Sequence, residues 1–205
     1  MKKNLFIAFE GIDGSGKSTQ VKLLAEGLEK AGHKVHVTCE PTDSPMGVLI
    51  RNAFSNKMEA DHRVIAGLFI ADRLDHLLNK TSGILKMLTE GYTVITDRYY
   101  LSSYAYQGVH MPLDWVIQAN SLSADLLRPD LNIFIDVAPE ISMQRLNKGR
   151  TSLELYETLE NLNSVRKCYY EAFELLKSKE KIFITDGNRT PDLIAADIRN
   201  EISHL

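Results

Sequence analysis

A glycine-rich octapeptide near the start of the chain has the residue types that bind phosphate. Residues 11–18 read GIDGSGKS and match the pattern GxxxxGK[ST], after an apolar run and before a helical pattern. Glycines let the backbone wrap around an anion, and amide groups at a helix N-terminus point toward it. Lys17 is placed to reach the outer phosphates of a nucleotide, and the Ser18 hydroxyl is placed to ligate Mg²⁺. The alternative is a plain glycine-rich turn between a strand and a helix.

An acidic and a basic residue close a later apolar run. Asp97 and Arg98 follow YTVIT, so both side chains are expected at the carboxyl edge of a sheet, beside the phosphate loop. A carboxylate there can accept hydrogen bonds from water bound to Mg²⁺, and a guanidinium can bridge phosphates. The alternative is a surface ion pair that ends a strand.

A second group of side chains suits an anion and a base. Arg51 and Arg73 offer guanidinium groups for a monophosphate or for carbonyl acceptors, and Phe69 lies one helical turn before Arg73. Ser103 and Gln107 are four residues apart, so a hydroxyl and an amide share one helical face and suit a pyrimidine edge. Taken alone, Phe69 is typical of a core residue and Arg73 of a solvated helix.

The elements that must position these residues alternate between strand and helix. Five short runs are nearly continuous in apolar or β-branched residues, which is typical of parallel strands covered on both faces. The runs are residues 5–9, 35–39, 92–97, 131–137 and 181–186. Helical periodicity follows the first run until Gly32, covers residues 61–79 and 192–202, and starts again near Ile84; Thr190 is expected to cap the last helix. The sequence therefore predicts an α/β fold with a doubly wound five-stranded parallel sheet and helices on both faces.

Composition places limits on the class of protein. The 205 residues carry 24 basic and 27 acidic side chains, so no positive surplus favours nucleic acid or a membrane surface as a partner. One domain over residues 1–205 suits this length. Cys39 and Cys168 form no metal-binding pattern and favour a reducing, cytoplasmic location. The six histidines lack metal-ligand spacing and are expected at the surface or at caps, and Trp115 is expected in packing.

A phosphate loop alone does not define an enzyme class. GTPase switches share it, but their NKxD motif is absent, since Asn147–Lys148 is followed by Gly149–Arg150. A small-molecule kinase needs a second anion site opposite the loop and a basic lid, and the chain offers candidates for both.

Six segments together resemble the thymidylate kinase family, whose members are P-loop NTPase-fold nucleoside monophosphate kinases. They are FEGIDGSGKST (residues 9–19), EP (40–41), LFIADR (68–73), DRYYLSSYAYQG (97–108), RPDL (128–131) and ITDG (184–187). Deoxynucleoside kinases share the first block but not the last. The resemblance implies transfer of the γ-phosphoryl group of ATP to dTMP, giving dTDP, with Mg²⁺ as cofactor and a homodimer as the assembly.

The resemblance also implies roles for individual residues. Those expected to bind ATP are Gly11, Ile12, Asp13, Gly14, Ser15, Gly16, Lys17, Ser18 and Thr19. Those expected to bind dTMP are Asp13, Arg51, Phe69, Arg73, Arg98, Ser103, Tyr106 and Gln107, with Tyr106 against the sugar. Ser18 and Asp97 are the expected metal ligands. Lys17 and Arg98 are expected to act in catalysis.

Two departures from the family pattern affect the site. The chain reads CEPTD where many bacterial members read REPGG, which affects the reach of Arg51. Gly14 occupies the loop position where some members carry a catalytic arginine, so a lid at about residues 147–155 is expected to supply it. The candidates for this lid cation are Arg145, Lys148 and Arg150.

Two alternatives to a dTMP kinase stay open. They are a deoxynucleoside kinase acting on thymidine and a non-catalytic nucleotide-binding paralogue.

Overall fold

A computed structural model describes residues 4–149 and 155–205 of the chain. Five parallel strands form one sheet in the order β2-β3-β1-β4-β5. The strands are β1 (Phe6–Glu10), β2 (Val35–Cys39), β3 (Thr93–Asp97), β4 (Leu131–Asp136) and β5 (Ile182–Asp186). The predicted five-stranded parallel sheet is confirmed, and the strand bounds differ from the predicted runs by one residue at five of the ten ends and agree at the other five.

Helices connect the strands and cover the sheet. In the described ranges they are α1 (Lys17–Lys30), α2 (Pro45–Phe54), α3 (His62–Leu78), α4 (Ile84–Thr89), α5 (Tyr100–Tyr106), α6 (Leu113–Ala119), α7 (Ser121–Leu126), α8 (Pro139–Gly149), α9 (Leu159–Leu176) and α10 (Pro191–Ser203). None of the described helices is both long enough and apolar enough to cross a membrane.

Alternate residues of the central strand β1 enter two different cores. Phe6 and Ala8 pack in the cluster that includes α5 and α9, whereas Ile7 and Phe9 pack in the cluster that includes α1 and α10. Successive side chains of a strand point to opposite faces, so helices on both faces bury the whole strand. The strand reads as a continuous apolar run for this reason.

The two edge strands are less buried than their apolar sequences suggest. β2 and β5 each pair on one side only, and Val37 and Ile184 are exposed. The expectation that all five runs are fully buried is therefore wrong for the edges, where helices cover less of the surface.

Several local expectations were wrong in whole or in part. Thr190 is the N-cap residue of α10, as expected, but its side chain makes no capping hydrogen bond. His76 is buried and not at the surface, and its ring forms hydrogen bonds with both Glu40 and Thr38. Trp115 is 47% exposed and is not a packed core residue. The helix α2 was not predicted; it begins at Pro45, with Ser44 accepting a hydrogen bond from the Gly47 amide.

Candidate functional site

One cavity of about 580 Å³ lies at the carboxyl edge of the sheet. It runs from the turn between β1 and α1 to the helices α2, α3 and α5, at the switch point where the order of strands reverses. Residues on its wall are Asp13, Gly14, Gly16, Lys17, Ser18, Thr19, Cys39, Glu40, Pro41, Arg51, Phe54, Phe69, Asp97, Arg98, Ser102, Ser103, Tyr106, Gln107, Leu146, Tyr156 and Glu157. Its size lies in the range of nucleotide and drug-sized ligand sites.

The loop between β1 and α1 depends on glycine at position 14. Gly14 has a φ of +75°, and a Cβ there would lie 2.8 Å from the Ser142 carbonyl oxygen. A side chain is therefore strained by conformation and blocked by α8, and the Ser142 hydroxyl itself donates to the Asp13 carbonyl oxygen. An arginine at this loop position therefore does not fit the arrangement of the loop and α8 in this chain.

Lys17 is buried and folds back onto the loop. Its Nζ donates to the carbonyl oxygens of Gly11, at 3.0 Å, and Ile12, at 3.1 Å. Burial, together with the charge of Arg98, lowers the pKa of Lys17 to about 8. Carbonyl oxygens are weaker partners for an ammonium group than phosphate oxygens, so Lys17 is ready to exchange them for an anion.

Ser18 and Asp97 lie side by side on the wall. The Ser18 hydroxyl donates to Asp97 Oδ2 at 2.7 Å. These two oxygen donors fit Mg²⁺, which is commonly held by one or two side chains with substrate phosphates and water. No cluster of three or more His, Cys, Asp or Glu side chains suited to a metal occurs in residues 4–149 and 155–205, so this part of the chain offers no all-protein metal cage.

Arg98 links the phosphate loop to α5. Its Nη2 donates to Asp13 Oδ1 and to the Tyr106 hydroxyl, while its Nη1 donates to the Gly11 carbonyl oxygen at 3.1 Å. The Tyr106 hydroxyl also donates to Asp13 Oδ2 at 2.8 Å. Burial alone would raise the pKa of Asp13, but the charges of Arg98 and Lys17 outweigh it and lower that pKa. Asp13 is therefore ionised at neutral pH.

The loop that reads CEPTD holds Arg51 firmly. Arg51 Nη1 donates to the carbonyl oxygens of Pro41, at 3.0 Å, and Thr42, at 2.7 Å, and Nη2 pairs with Asp43 at 3.2 Å. The buried carboxylate of Asp72 accepts from both the amide and the hydroxyl of Thr42. The replacement of the glycines thus gives a loop anchored by side chains, and Arg51 still lines the cavity.

Arg73 lies behind the cavity wall. Its side chain is 1% exposed and pairs with Glu40 Oε2 at 2.6 Å. Its Nη1 donates to the Ser103 hydroxyl at 3.0 Å and to the Asn120 side-chain oxygen. Burial alone would lower the pKa of Arg73. The negative charge of Glu40 outweighs this effect, so the Arg73 pKa is raised. Glu40 and Ser103, which both bond to this guanidinium, line the cavity and separate Arg73 from it.

Phe69, Ser103 and Gln107 line the same cavity as the phosphate loop. Phe54 packs 5.9 Å from Phe69 and 5.3 Å from Tyr156, measured between ring centroids. Gln107 is buried, and its Oε1 has no hydrogen-bond partner within the described part of the protein. This combination of aromatic faces and an unsatisfied amide fits a planar ligand with polar edges.

The lid candidates occupy different places. Arg145 lies outside the cavity lining, and its guanidinium donates to the carbonyl oxygens of Gly14, Ser15 and Gly187. Lys148 is exposed near the end of α8. Arg150 and most of the predicted lid fall in residues 150–154, outside the described residues.

The positive side chains converge only in part. Lys17, Arg51 and Arg98 line the cavity, whereas Arg73 and Arg145 do not. Acidic residues also line it: Asp13, Glu40, Asp97 and Glu157. The cavity is therefore of mixed charge, and carboxylates and carbonyl groups hold its cations in place.

Sequence reasoning missed several wall or support residues. Phe54 gave no signal because α2 was not predicted, and Asn120 gave none because it acts through Arg73. Glu40 stood in a segment that resembles the family, but neither Glu40 nor the pair Tyr156 and Glu157 was singled out at the site. Their packing depends on contacts between elements far apart in the chain, which periodicity does not report.

A parallel sheet of this order, with a GxxxxGKS loop opening α1 and a second subsite in the same cavity, defines a P-loop nucleotide kinase fold. A sequence model of the thymidylate kinase family matches residues 9–198. The chain belongs to the thymidylate kinase family.

Curated relatives agree with this assignment along most of the chain. A protein of Pyrococcus horikoshii named "Probable thymidylate kinase" is 42% identical over 179 residues, 84% of each chain. One of the same name from Pyrobaculum aerophilum is 39% identical and covers 98% of this chain and 97% of its own. A "Thymidylate kinase" of Caldicellulosiruptor saccharolyticus is 34% identical, covering 99% and 98%.

Proposed function

We propose that this chain transfers the γ-phosphoryl group of ATP to dTMP, forming dTDP, and that the cavity described above is the active site. One observation carries the proposal: a single cavity joins the phosphate loop to the wall formed by Phe69, Ser103 and Gln107. The donor nucleotide occupies the loop end and the acceptor occupies the other end, so their phosphates meet between Lys17 and Arg98. Family membership supports the same reaction.

The protein contributes mainly orientation and positive charge. Lys17 binds the outer phosphates of ATP in place of the loop carbonyls, and Arg98 binds the phosphates that react. Ser18 and Asp97 hold Mg²⁺, which when bound neutralises charge on the donor phosphates. Arg51 binds the acceptor phosphate. No side chain needs to act as a general base, because the acceptor phosphate oxygen is already a nucleophile.

Base recognition uses the wall beyond the phosphates. Phe69 stacks on the thymine ring, and the unsatisfied Gln107 Oε1 accepts from a ring N–H. Arg73 supports Ser103, the hydroxyl that faces the base, and reaches a base carbonyl only with a change in the side-chain arrangement seen here. Asp13 and Tyr106, which are bonded to each other, face the sugar.

We further propose that residues 1–205 form one kinase domain whose lid, at about residues 147–155, closes over the phosphates. Arg150 is the candidate for the catalytic lid cation, since Gly14 has no room for an arginine and Arg145 is engaged by loop carbonyls. Closure excludes water from the transferred phosphoryl group.

A panel of acceptors tests the proposed reaction. Purified protein with Mg-ATP is assayed for ADP formation with dTMP, dUMP, thymidine, GMP and CMP. We expect dTMP to be the best acceptor and dUMP to be slower by roughly 10- to 150-fold, since one methyl group in a pocket is worth about 1–3 kcal/mol. Faster reaction with GMP or CMP would overturn the proposal.

The same panel separates the two alternatives. A deoxynucleoside kinase would prefer thymidine, but the cavity holds Arg51 where a monophosphate needs a cation. A non-catalytic nucleotide-binding paralogue would release ADP at the same rate with and without dTMP.

We also propose a homodimer in the cytoplasm. Several large apolar side chains are exposed on α3, α6 and α7, namely Val64, Leu78, Trp115, Leu122 and Leu126. Helices α3 and α7 pack against each other, so a second copy can cover apolar surface on both. Sedimentation at micromolar concentration tests the dimer; a monomer would contradict it.

The state of the cysteines supports the cytoplasmic location. Cys39 and Cys168 are free thiols, which suits a reducing compartment.

A further inference from the structure

Glu10 is a fully buried carboxyl group with no assigned role at the site. It is the last residue of β1, directly before Gly11, and its exposed fraction is 0%. Oε1 accepts from the Tyr99 amide at 3.0 Å. Oε2 accepts from the Ser102 hydroxyl at 2.5 Å and from the Tyr169 hydroxyl at 2.9 Å.

The two hydroxyl groups bound to Glu10 connect it to both sides of the active site. The Ser102 oxygen accepts from Arg98 Nη1 at 3.1 Å. The Tyr169 oxygen accepts from the Gly11 amide at 3.4 Å. Arg98 and the first amide of the phosphate loop are thus each one side chain away from the same carboxyl group.

The ionisation state of Glu10 sets the direction of these hydrogen bonds. The Ser102 and Tyr169 hydroxyl oxygens lie 2.8 Å apart, so each hydroxyl proton can point either to Glu10 or to the other hydroxyl. A carboxylate carries no proton, so it draws the hydroxyl protons toward itself and leaves lone pairs for Arg98 and Gly11. A protonated carboxyl, or an amide, must donate to one of the hydroxyls. That hydroxyl then has to turn its own proton away from residue 10, which weakens its hold on the neighbouring donor.

Glu10 also supports the backbone that carries Arg98. Arg98 has a φ of +76°, in the left-handed region that is unfavourable for a residue with a side chain. The Arg98 amide donates to the Phe9 carbonyl oxygen at 2.8 Å, and the next amide, of Tyr99, donates to Glu10. Two residues of β1 therefore hold the two consecutive amides of the strained turn, those of Arg98 and Tyr99.

We propose that ionised Glu10 is a positioning residue for phosphoryl transfer, which orients Arg98 through Ser102 and the phosphate loop through Tyr169. The inference rests on the proposed dTMP kinase activity. Glu10 is fully buried and does not line the cavity, so its effect on the reaction passes through these partners.

The environment of Glu10 makes this role dependent on pH. Burial raises the pKa of Glu10 to about 7, against the opposing effects of the Ser102 hydrogen bond and the Arg98 charge. Activity that depends on ionised Glu10 therefore rises as pH increases through about 7. The charged and titratable groups on the elements around it are Asp13, Lys17, Arg98, Tyr99, Tyr106 and Tyr169.

Glu180 provides a matched control. Its carboxyl group is also buried and accepts from Tyr100, Arg128 and Asn132. None of these partners lines the cavity. E10Q and E180Q therefore make the same chemical change in two buried hydrogen-bond networks, only one of which reaches the site.

The experiment measures kcat/KM for dTMP from pH 6 to pH 8.5 in the wild type, E10Q and E180Q. The titration of the substrate phosphates is common to all three. We expect E10Q to lose roughly 10- to 100-fold in kcat/KM at pH 8 and to lack the rise through pH 7, whereas E180Q keeps the wild-type profile. An E10Q profile equal to the wild type, or lowered but with the same rise, would overturn the inference. Absence of dTMP phosphorylation in the wild type would instead overturn the proposed function.

Two further variants keep the inference testable if E10Q does not fold. S102A removes the link to Arg98, and Y169F removes the hydroxyl that meets Gly11, while Glu10 remains in place. Each is expected to lower kcat/KM at pH 8 by several-fold or more. Wild-type kcat/KM in both variants would overturn the inference.

Discussion

Glu40 and Arg73 form an ion pair in which each side chain is only 1% exposed, with Arg73 Nη2 2.6 Å from Glu40 Oε2. The pair joins the residue after β2 to the middle of α3. His76, one turn further along α3, bonds to the other Glu40 oxygen at 3.1 Å. The loop that carries Arg51's partners and the helix that carries Phe69 are thereby fixed to each other.

Breaking this buried pair should strongly destabilise the protein. E40Q leaves the Arg73 charge buried without a carboxylate, for which we expect a loss of about 3–5 kcal/mol in the free energy of unfolding. Urea denaturation measures it. The control E90Q breaks the exposed Lys86–Glu90 pair and should cost at most about 1 kcal/mol. A loss for E40Q no larger than that of the control would contradict the account of this pair.

Removal of the phosphate-loop lysine should affect turnover more than acceptor binding. K17A deletes the only cation that the described structure places within the loop, so kcat should fall by about 10²- to 10³-fold. The affinity for dTMP, measured by calorimetry, should change little. K22A removes an exposed lysine of the same helix and should leave kcat unchanged. Near-normal turnover in K17A would mean that the donor binds elsewhere.

Arg150 and Arg145 should differ in the kinetic constant that they affect. R150A should lower kcat by about 10²-fold or more, if the lid supplies the catalytic cation, with little change in dTMP affinity. R145A removes contacts to Gly14, Ser15 and Gly187 and should mainly raise the KM for ATP. Steady-state kinetics with each substrate varied in turn measure both effects. Unchanged turnover in R150A would move the catalytic role to Arg145 or Lys148.

The pH dependence of stability should report the protonation of Glu10. Because burial raises its pKa from 4.5 to about 7, the native state binds this proton more tightly than the unfolded state does. The stabilisation is fully present below pH 4.5 and is lost as pH rises through about 7, a change of roughly 3 kcal/mol. In E10Q this contribution is absent, so its stability relative to the wild type should increase between pH 5 and pH 8. Parallel pH–stability curves for the two proteins would show that Glu10 does not titrate in this range.

The sheet was predictable because each of its five strands carries its own signal. The apolar run of β1 and the glycine-rich loop after it predict a buried parallel strand and a phosphate site without any tertiary information. The positions of Asp97 and Arg98 also follow from the sequence, since both residues end a strand beside β1.

Other parts of the site depend on contacts that the sequence pattern does not encode. Arg73 shares a helical face with Phe69, yet its guanidinium is buried in bonds to Glu40 and Asn120 and does not line the cavity. The Asp72 carboxylate anchors Thr42, and nothing in the spacing of residues 42 and 72 indicates it. Glu10 reads as the polar end of a strand, whereas its importance arises from Ser102 and Tyr169 on two later helices.

The identity of the phosphorylated product tests the central claim most directly. Protein, dTMP, Mg²⁺ and ATP labelled in the γ-phosphate are incubated, and the products are separated by chromatography. We predict that the wild type transfers the label to dTDP and that K17A forms far less labelled dTDP. Label found only in inorganic phosphate, or transfer to thymidine in preference to dTMP, would contradict the assignment of this cavity as a dTMP kinase site.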